Sequence, residues 1–324
     1  MSRIQSGSFT EVRSRVVLTA LALVPALLLA ACASPEPLPL PLPEPLDLPY
    51  DQGRIWKVEK EGYETGYVFG TFHISDPRVL DIPDAAEEAF VSAKIAAFEY
   101  DHENDERPDS EDRIKLPEGT SLISLIGAGP YGKLKNIIRD RTGGSRIPRN
   151  DVKPWIFWDS LGGARGTFYT ADEESDPNRP VLDEWLQQRA FDEGKRVVGL
   201  ETLEEGFVKY NSIPLDLQTD LLIGTLDHYH MRRAGAPVVQ HYLDGDLGML
   251  EALWQEGLGW YTPEVAKELD FRIVTNRNRI MVERTLPLLE EGTTFVAVGA
   301  GHLAGDEGIL RLFEQEGFTV TRLQ

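Results

Sequence analysis

The chain reads as an α/β domain: a central mixed β-sheet with strands from both ends of the domain and a large helical insertion. Two observations point there. Short apolar runs bounded by turn residues lie at 54–71, at 294–298 and at 318–323, with one pair near the middle, at 95–100 and 196–200. Between them run long Leu-rich stretches whose apolar residues recur at helical spacing. Apolar runs of about four to eight residues suit buried strands, whereas an i, i+3, i+4 recurrence suits helices. Strands alternating with helical lengths build a layered α/β sheet.

In chain order, Arg54–Val58 and Thr65–Thr71 form a predicted hairpin around Glu61-Gly62. Pro83 and Asp84 open a helix that runs through about Lys94. Residues 95–100 are a buried strand that carries an acid, Glu99, near its end. Residues 119–192 read as mostly helical, broken at Pro154 and at Gly162-Gly163. A helix around Leu182–Phe191 leads into a strand at Arg196–Leu200, which is followed by a second acid, Glu201. Residues 207–260 are helical. Pro263 stands in the first turn of a long helix pattern that continues to roughly Leu289. Then come a strand at Thr294–Val298, a helix at Asp306–Glu316 and a last strand at Phe318–Leu323.

The N-terminus has a different character. Arg3, Arg13 and Arg15 make a basic region, and Val16 to Leu29 is apolar. Leu29-Ala30-Ala31-Cys32 then has the form of a lipobox. The apolar run is too short for a spanning helix, so residues 1–31 are expected to be a lipoprotein signal peptide. Cys32, the chain's one cysteine, has no disulfide partner and is the expected lipid acceptor. An ordinary signal peptide with an incidental cysteine is the alternative. Ala33 after the cysteine favours the outer membrane over the inner one, with the domain facing the periplasm. Residues 32–49 form a lipidated, Pro-rich tether, and 50–324 the folded domain. Polyproline II extends about 3 Å per residue, so such a tether reaches roughly 50 Å.

The net charge is −20, and loss of residues 1–31 would leave −22. Nucleic acid and anionic lipid are thereby disfavoured as partners of the bulk surface, leaving the lipid anchor as the one membrane contact. Part of the excess is a run from Asp101 to Asp112 that reads as a solvated loop. A cation-binding loop is the sharper reading, but the glycine and terminal glutamate spacing of an EF-hand are missing.

The chemistry is carried by two similar segments. Tyr67 to His73 and Phe295 to His302 each read as an apolar strand followed by Gly-x-x-His, with Gly70 and Gly299 as the first residues. Chance gives roughly half such a motif in a chain of this composition, so the strand before each one matters more than the match. Two imidazoles at one sheet edge make a metal site or a general acid/base pair. Ordinary strand-to-helix turns that happen to carry histidine fit the same residues. Glu99 and Glu201 add carboxylates at two further strand ends, and in an open α/β sheet ligands bind outside those ends. Two imidazoles with one or two carboxylates suit a divalent transition metal with an open water position. His228 and His230 lie two apart on a helix and cannot share a face.

With these residues in place the chain resembles the TraB/GumN family, which includes the Tiki-type proteases, over about residues 54–324. The resemblance rests on Gly70-Thr71-Phe72-His73, Phe98-Glu99-Tyr100-Asp101, Lys153-Pro154-Trp155, Leu182-Asp183 and Gly199-Leu200-Glu201-Thr202. It continues through Gly245-Asp246-Leu247, Arg277-Asn278 and Val298-Gly299-Ala300-Gly301-His302-Leu303. Gly206 stands where the family often has Gln. The resemblance implies a metal-dependent hydrolase of peptidase type, with the two histidines and a glutamate as the metal-binding or catalytic set. The assignment that follows places a divalent transition metal (Mn, Co or Zn) on His73, Glu99 and His302. It makes Glu201 the general base or a further ligand, and Arg277 the oxyanion stabiliser supported by Asn278. Gly70, Gly299 and Gly301 allow close backbone approach. Glu99 and Glu201 also fit turn caps, and Arg277 also fits a structural ion pair. Asp183 reads as a helix first-turn acid, with an orienting role as the alternative. The substrate is a peptide or a small molecule. The competing function is a non-catalytic binding lipoprotein, taking haem, iron or a peptide in the same histidine-lined cleft.

Overall fold

The computed structural model describes residues 41–161, 169–170, 179–229 and 233–324. The signal peptide, Cys32, the first half of the predicted tether, the Gly162-Gly163 break and His230 lie outside the described residues. Six strands form one sheet: β1 (Ile55–Glu59), β2 (Gly66–Thr71), β3 (Ile95–Tyr100), β5 (Arg196–Glu201), β7 (Thr294–Gly299) and β8 (Thr319–Arg322). Their order is β5-β3-β7-β2-β1-β8. The first four in that order run parallel, and β1 pairs antiparallel with both β2 and β8. Strands from the two ends of the chain thus interleave, as the apolar runs imply. A short second ladder joins β4 (Tyr169–Thr170) and β6 (Arg233–Ala234).

Burial explains the apolar runs. Every residue of β7 is buried, and so is all of β3 except Tyr100. A parallel strand covered on both faces has no solvent side and reads as a continuous apolar run. At its edge β8 is largely exposed and alternates with polar residues. The main core spans this sheet and its flanking helices α1 (Asp84–Ser92), α5 (Leu182–Asp192), α11 (Asn276–Glu291) and α12 (Ile309–Gln315).

The helical insertion contains α2 (Leu122–Ile126), α3 (Ala128–Arg141) and α4 (Pro154–Ser160) before α5. After β5 come α6 (Leu203–Asn211), α7 (Leu215–His228), α8 (Gly235–Leu243), α9 (Leu247–Leu258) and α10 (Pro263–Asp270). Three further apolar clusters hold these helices together, around Leu122, Leu134 and Phe157, around Trp158, Ile213 and Leu269, and around Val238, Met249 and Leu253.

The long helix read from Pro263 to about Leu289 is interrupted. Phe271–Thr275 is a π-helical turn between α10 and α11, where the Asn276 N–H reaches back five residues to the Phe271 carbonyl. One extra residue per turn leaves the apolar pattern nearly intact, so the sequence shows a single helix. The wide turn stands directly before Arg277, and such turns often mark functional sites.

Several motif residues of the resemblance hold the fold. Asp246 caps α9 by accepting from the Met249 N–H at 3.0 Å. Lys153 and Trp155 both donate to Asn211 Oδ1. The last part of the Pro-rich segment lies on the domain. Leu46 N–H donates to the Gly248 carbonyl at 3.1 Å, and Leu42 packs beside Val238, Met249 and Leu253. A Cβ on Gly248 would stand 2.3 Å from the Leu46 carbonyl oxygen, so this contact requires glycine.

Candidate functional site

Four parallel strands end side by side, and each delivers one of the predicted residues. Thr71 of β2 pairs with Gly299 of β7, Phe98 of β3 pairs with Ala297, and Tyr100 of β3 pairs with Glu201 of β5. The order across the edge is therefore Glu201, Glu99, Gly299 with His302, and His73. The two Gly-x-x-His motifs follow neighbouring strands.

His73, Glu99 and His302 converge. His73 Nε2 lies 3.4 Å from Glu99 Oε1, and His302 Nε2 lies 3.9 Å from the same oxygen. Ligands held about 2 Å from one ion in tetrahedral geometry stand about 3.3 Å apart, so this spacing is within a small adjustment of a metal's first shell. Gly299 marks the centre. A Cβ built there would meet His73 Nε2 at 3.0 Å, Glu99 Oε1 at 3.2 Å and His302 Cδ2 at 3.6 Å. The missing methyl group leaves a cradle walled by all three candidate ligands. Gly301, by contrast, has open space where its Cβ would be. Gly70 is needed for packing, because a Cβ there would meet Leu303 Cδ1 at 2.7 Å.

Both imidazoles are oriented through their other nitrogen. His73 Nδ1 meets Asp183 Oδ2 at 2.7 Å, and Asp183 Oδ1 accepts from the Thr71 hydroxyl at 2.6 Å. His302 Nδ1 donates to Asn278 Oδ1 at 2.6 Å, and Asn278 Nδ2 donates to the Glu307 carbonyl at 2.8 Å. A histidine that gives one N–H to a fixed acceptor turns the other nitrogen toward an ion, which is the usual arrangement around bound metals. Asp183 is the second residue of α5, so it is a first-turn helix acid and an orienter at once.

Arg277 ties the carboxylates together. Its Nε donates to Glu201 Oε2 at 2.6 Å, its Nη2 to Glu99 Oε2 at 2.5 Å and to the Tyr100 hydroxyl at 3.4 Å, and its Nη1 to the Ile273 carbonyl and to His302 Nε2 at 2.9 Å. All five guanidinium donors are engaged. Arg277, Glu99 and Glu201 are each less than a tenth exposed. The ion-pair role considered for Arg277 is therefore present, and no donor is left over for an oxyanion in this arrangement. Glu201 meets the same Nε and Nη2 edge of the guanidinium as Glu99 and is not among the residues that line the cavity described below.

The electrostatics divide the two histidines. Burial opposes the charged form of His73, but the Asp183 and Glu99 carboxylates outweigh it and lift its pKa to about 10. Burial, joined by the charge of Arg277, pushes His302 down to about 3 and keeps it neutral. Burial also works against the Glu99 carboxylate, yet Arg277 and His73 hold its pKa well below the usual range.

A cavity of about 210 Å³ opens on His73, Glu99, Arg277, Gly299 and His302. A second, of about 320 Å³, borders it across His73, Glu99, Tyr100, Asp159, Lys209 and Tyr210, and takes in Asp183 and His102. Sequence reasoning gives no site role to Tyr100 or Lys209, and for Asp183 it offers the orienting role only as the alternative to a helix first-turn acid. The acidic run beyond Tyr100 stays local. Asp101 accepts from the N–H groups of Glu103 and Asn104, which closes its own turn. His228 stacks on Trp260 and bonds the Gly224 carbonyl, and His241 bonds Asp246. Among the described residues no group of three or more His, Cys, Asp or Glu is arranged so that it could hold a metal ion as it stands.

A model of the TraB/PrgY/gumN family matches residues 54–322, nearly the whole described domain. The chain belongs to that family. Metalloprotease TIKI2 of Danio rerio is 26% identical over 316 residues, which cover 82% of this chain and 60% of the relative. Metalloprotease TIKI1 of Homo sapiens is 25% identical, over 82% of this chain and 61% of the relative. A metalloprotease TIKI homolog of Nematostella vectensis is 24% identical, over 82% of this chain. The chain spans about three-fifths of the length of the first two relatives. No solved structure matches the chain.

Proposed function

We propose that this TraB/PrgY/gumN protein is a metal-dependent hydrolase acting on peptides, held in the cell envelope by a lipid on Cys32. The observation that carries the hydrolase reading is the cradle at Gly299. The His73 Nε2, a Glu99 carboxylate oxygen and the edge of the His302 ring at Cδ2 face it, and each imidazole is fixed from behind by a separate acceptor. Nitrogen and oxygen donors of this kind suit Mn, Co or Zn. A bound divalent ion would polarise a carbonyl and lower the pKa of a water molecule.

The chain's own groups set the conditions. His73 must give up the Nε2 proton that Asp183 and Glu99 stabilise, so an ion competes with a proton there. His302 is already neutral and needs no such exchange. Its Nε2 has one lone pair, which now accepts from Arg277 Nη1. Ligation and the Arg277 bond exclude each other, so loading the site frees one Nη1 donor on the cavity wall. That donor is the one available to a developing oxyanion. Asn278 holds His302 in place, and Glu201 anchors the guanidinium through Nε. In this reading Glu99 serves as a ligand, and Glu201, which does not line the cavity, is poorly placed to act as the base.

The test is metal removal and return. Chelated protein should hydrolyse no member of a peptide library, and activity should return with Mn, Co or Zn. Undiminished hydrolysis without any ion would sink the metal reading. Absence of hydrolysis with every ion would favour the binding protein instead, and an intense haem absorbance of the purified protein would point to haem as its cargo.

The anchor is tested separately. The Leu29–Cys32 lipobox and the Pro-rich segment support it. Cys32→Ser should leave the protein unlipidated and either shed from the membrane fraction or stalled before processing. Unchanged membrane fractionation of fully processed Cys32→Ser protein would refute the anchor.

A further inference from the structure

Beyond the histidines, the 210 Å³ cavity changes character. Its other wall is apolar, built by Val238 of α8, by Leu250, Leu253 and Trp254 of α9 and by Val274 of the wide turn. One ionisable side chain stands among them, Glu251 of α9. Its Oε1 accepts from Gln255 Nε2 at 2.7 Å, and the one nearby charge that acts on it is that of another acid, Asp270. Burial, with that like charge, pushes its carboxyl up to about 7. Glu99 in the same cavity is matched by Arg277 and His73, whereas no cation of the described residues is paired with Glu251. The other cations that line the cavity are committed elsewhere, as His73 is to Glu99 and Asp183. Arg277 is bonded to Glu99 and Glu201, and Lys209 donates to the Tyr100 hydroxyl at 2.8 Å.

A carboxylate taken partly out of water on an apolar wall gains from a cation brought to it. The group that suits both features at once has a long aliphatic stem and a charged head. A lysyl or arginyl side chain can lay its methylenes against Leu250, Leu253 and Trp254 and place its head on Glu251. The chain's net charge of −20 adds a field that draws cationic peptides to the surface.

We propose that Glu251 and the apolar wall beside it form a subsite for a lysyl or arginyl side chain of the peptide substrate, adjacent to the bond presented to the histidines. This deepens the hydrolase reading and rests on it. The carboxylate selects the side chain and takes no part in bond cleavage.

The experiment uses the metal-loaded protein and a matched set of labelled peptides carrying Lys, Arg, norleucine or Glu on either side of a constant bond. The kcat/KM for the Lys and Arg peptides should exceed that for norleucine by roughly tenfold to a hundredfold, the range for a hydrogen bond to a charged group. Glu251→Gln should bring Lys and Arg down to the norleucine level while norleucine cleavage and metal content hold. Glu251→Lys should turn the preference toward the Glu peptide. Equal rates for Lys and norleucine in the wild type would overturn the subsite, as would a Glu251→Gln protein that loses all four peptides alike. Affinity for the same peptides, read by fluorescence anisotropy, separates the two readings. A Lys preference in binding that Glu251→Gln removes, without turnover of any peptide, would uphold the subsite and refute the hydrolase. Equal affinities would refute the subsite whatever the turnover.

Discussion

Replacing Arg277 with Met should destabilise the domain by about 3–5 kcal/mol at pH 7, the range for removing one partner of a buried charge pair. The guanidinium is 5% exposed, and it holds two carboxylates, Glu99 and Glu201, that are 7% and 4% exposed. Met keeps the unbranched stem and fills much of the same volume, so packing loss is the minor part. The larger part is the charge left on Glu99 and Glu201, which lose the guanidinium where water does not reach and leave His73 as the one charge still paired with Glu99. The pH dependence follows from the sign of the Glu99 shift. In the wild type its pKa lies well below 4.5, so its pairing adds stability above about pH 4.5 that is lost only as pH falls toward the folded-state value. Without the guanidinium that contribution shrinks and the carboxyl is protonated more easily. The gap between wild type and Arg277→Met should therefore be widest near pH 7 and narrow toward pH 4. Adding Glu201→Gln to Arg277→Met should recover part of the loss. Urea unfolding at both pH values reads all three quantities. A cost under about 1 kcal/mol at pH 7, or a gap that does not narrow on acidification, would show that the network carries no net burden of buried charge.

What the sequence disclosed and what it concealed have separate physical causes. The parallel strands were legible because burial on both faces leaves no polar alternation, and the Gly-x-x-His segments stood out because they end such runs. Their meeting at one edge follows from β2 and β7 being neighbours, which the apolar pattern permits but does not dictate. Asp183 was visible as a helix acid. Its bond to His73, 110 positions away, depends on where α5 packs, and no local spacing encodes that. Glu201 was found as a strand-end acid, yet the register pairs it with Tyr100 instead of Glu99. That one-residue stagger accompanies its absence from the cavity lining. The π turn before Arg277 was hidden because one inserted residue barely disturbs a helical apolar pattern. Glu251 was hidden for a similar reason: an acid among leucines on an amphipathic helix reads as the edge of its solvent face.

Gly299→Ala should weaken divalent-ion binding by at least about a hundredfold, at or beyond the loss typical of an outer-shell partner, while the fold survives. Gly299 has φ −52° and ψ 136°, a region open to any L-residue, so alanine meets no backbone strain. Its methyl would enter the cradle, 3.0 Å from His73 Nε2 and 3.2 Å from Glu99 Oε1. Side-chain ends can yield a few tenths of an ångström, which limits the cost to the metal-free domain to about 1–2 kcal/mol. An ion has no such freedom, because its donors must stand about 2 Å from it and the methyl lies between them. Gly301→Ala is the control. It belongs to the same motif and borders the same cavity, but its Cβ would point into open space. Calorimetric titration with Mn or Co should show near-normal affinity for Gly301→Ala and little or none for Gly299→Ala, at similar thermal midpoints. Equal affinities in the two variants would place the ion elsewhere, and the convergence of His73, Glu99 and His302 would then be a salt-bridge cluster that holds the strand ends together.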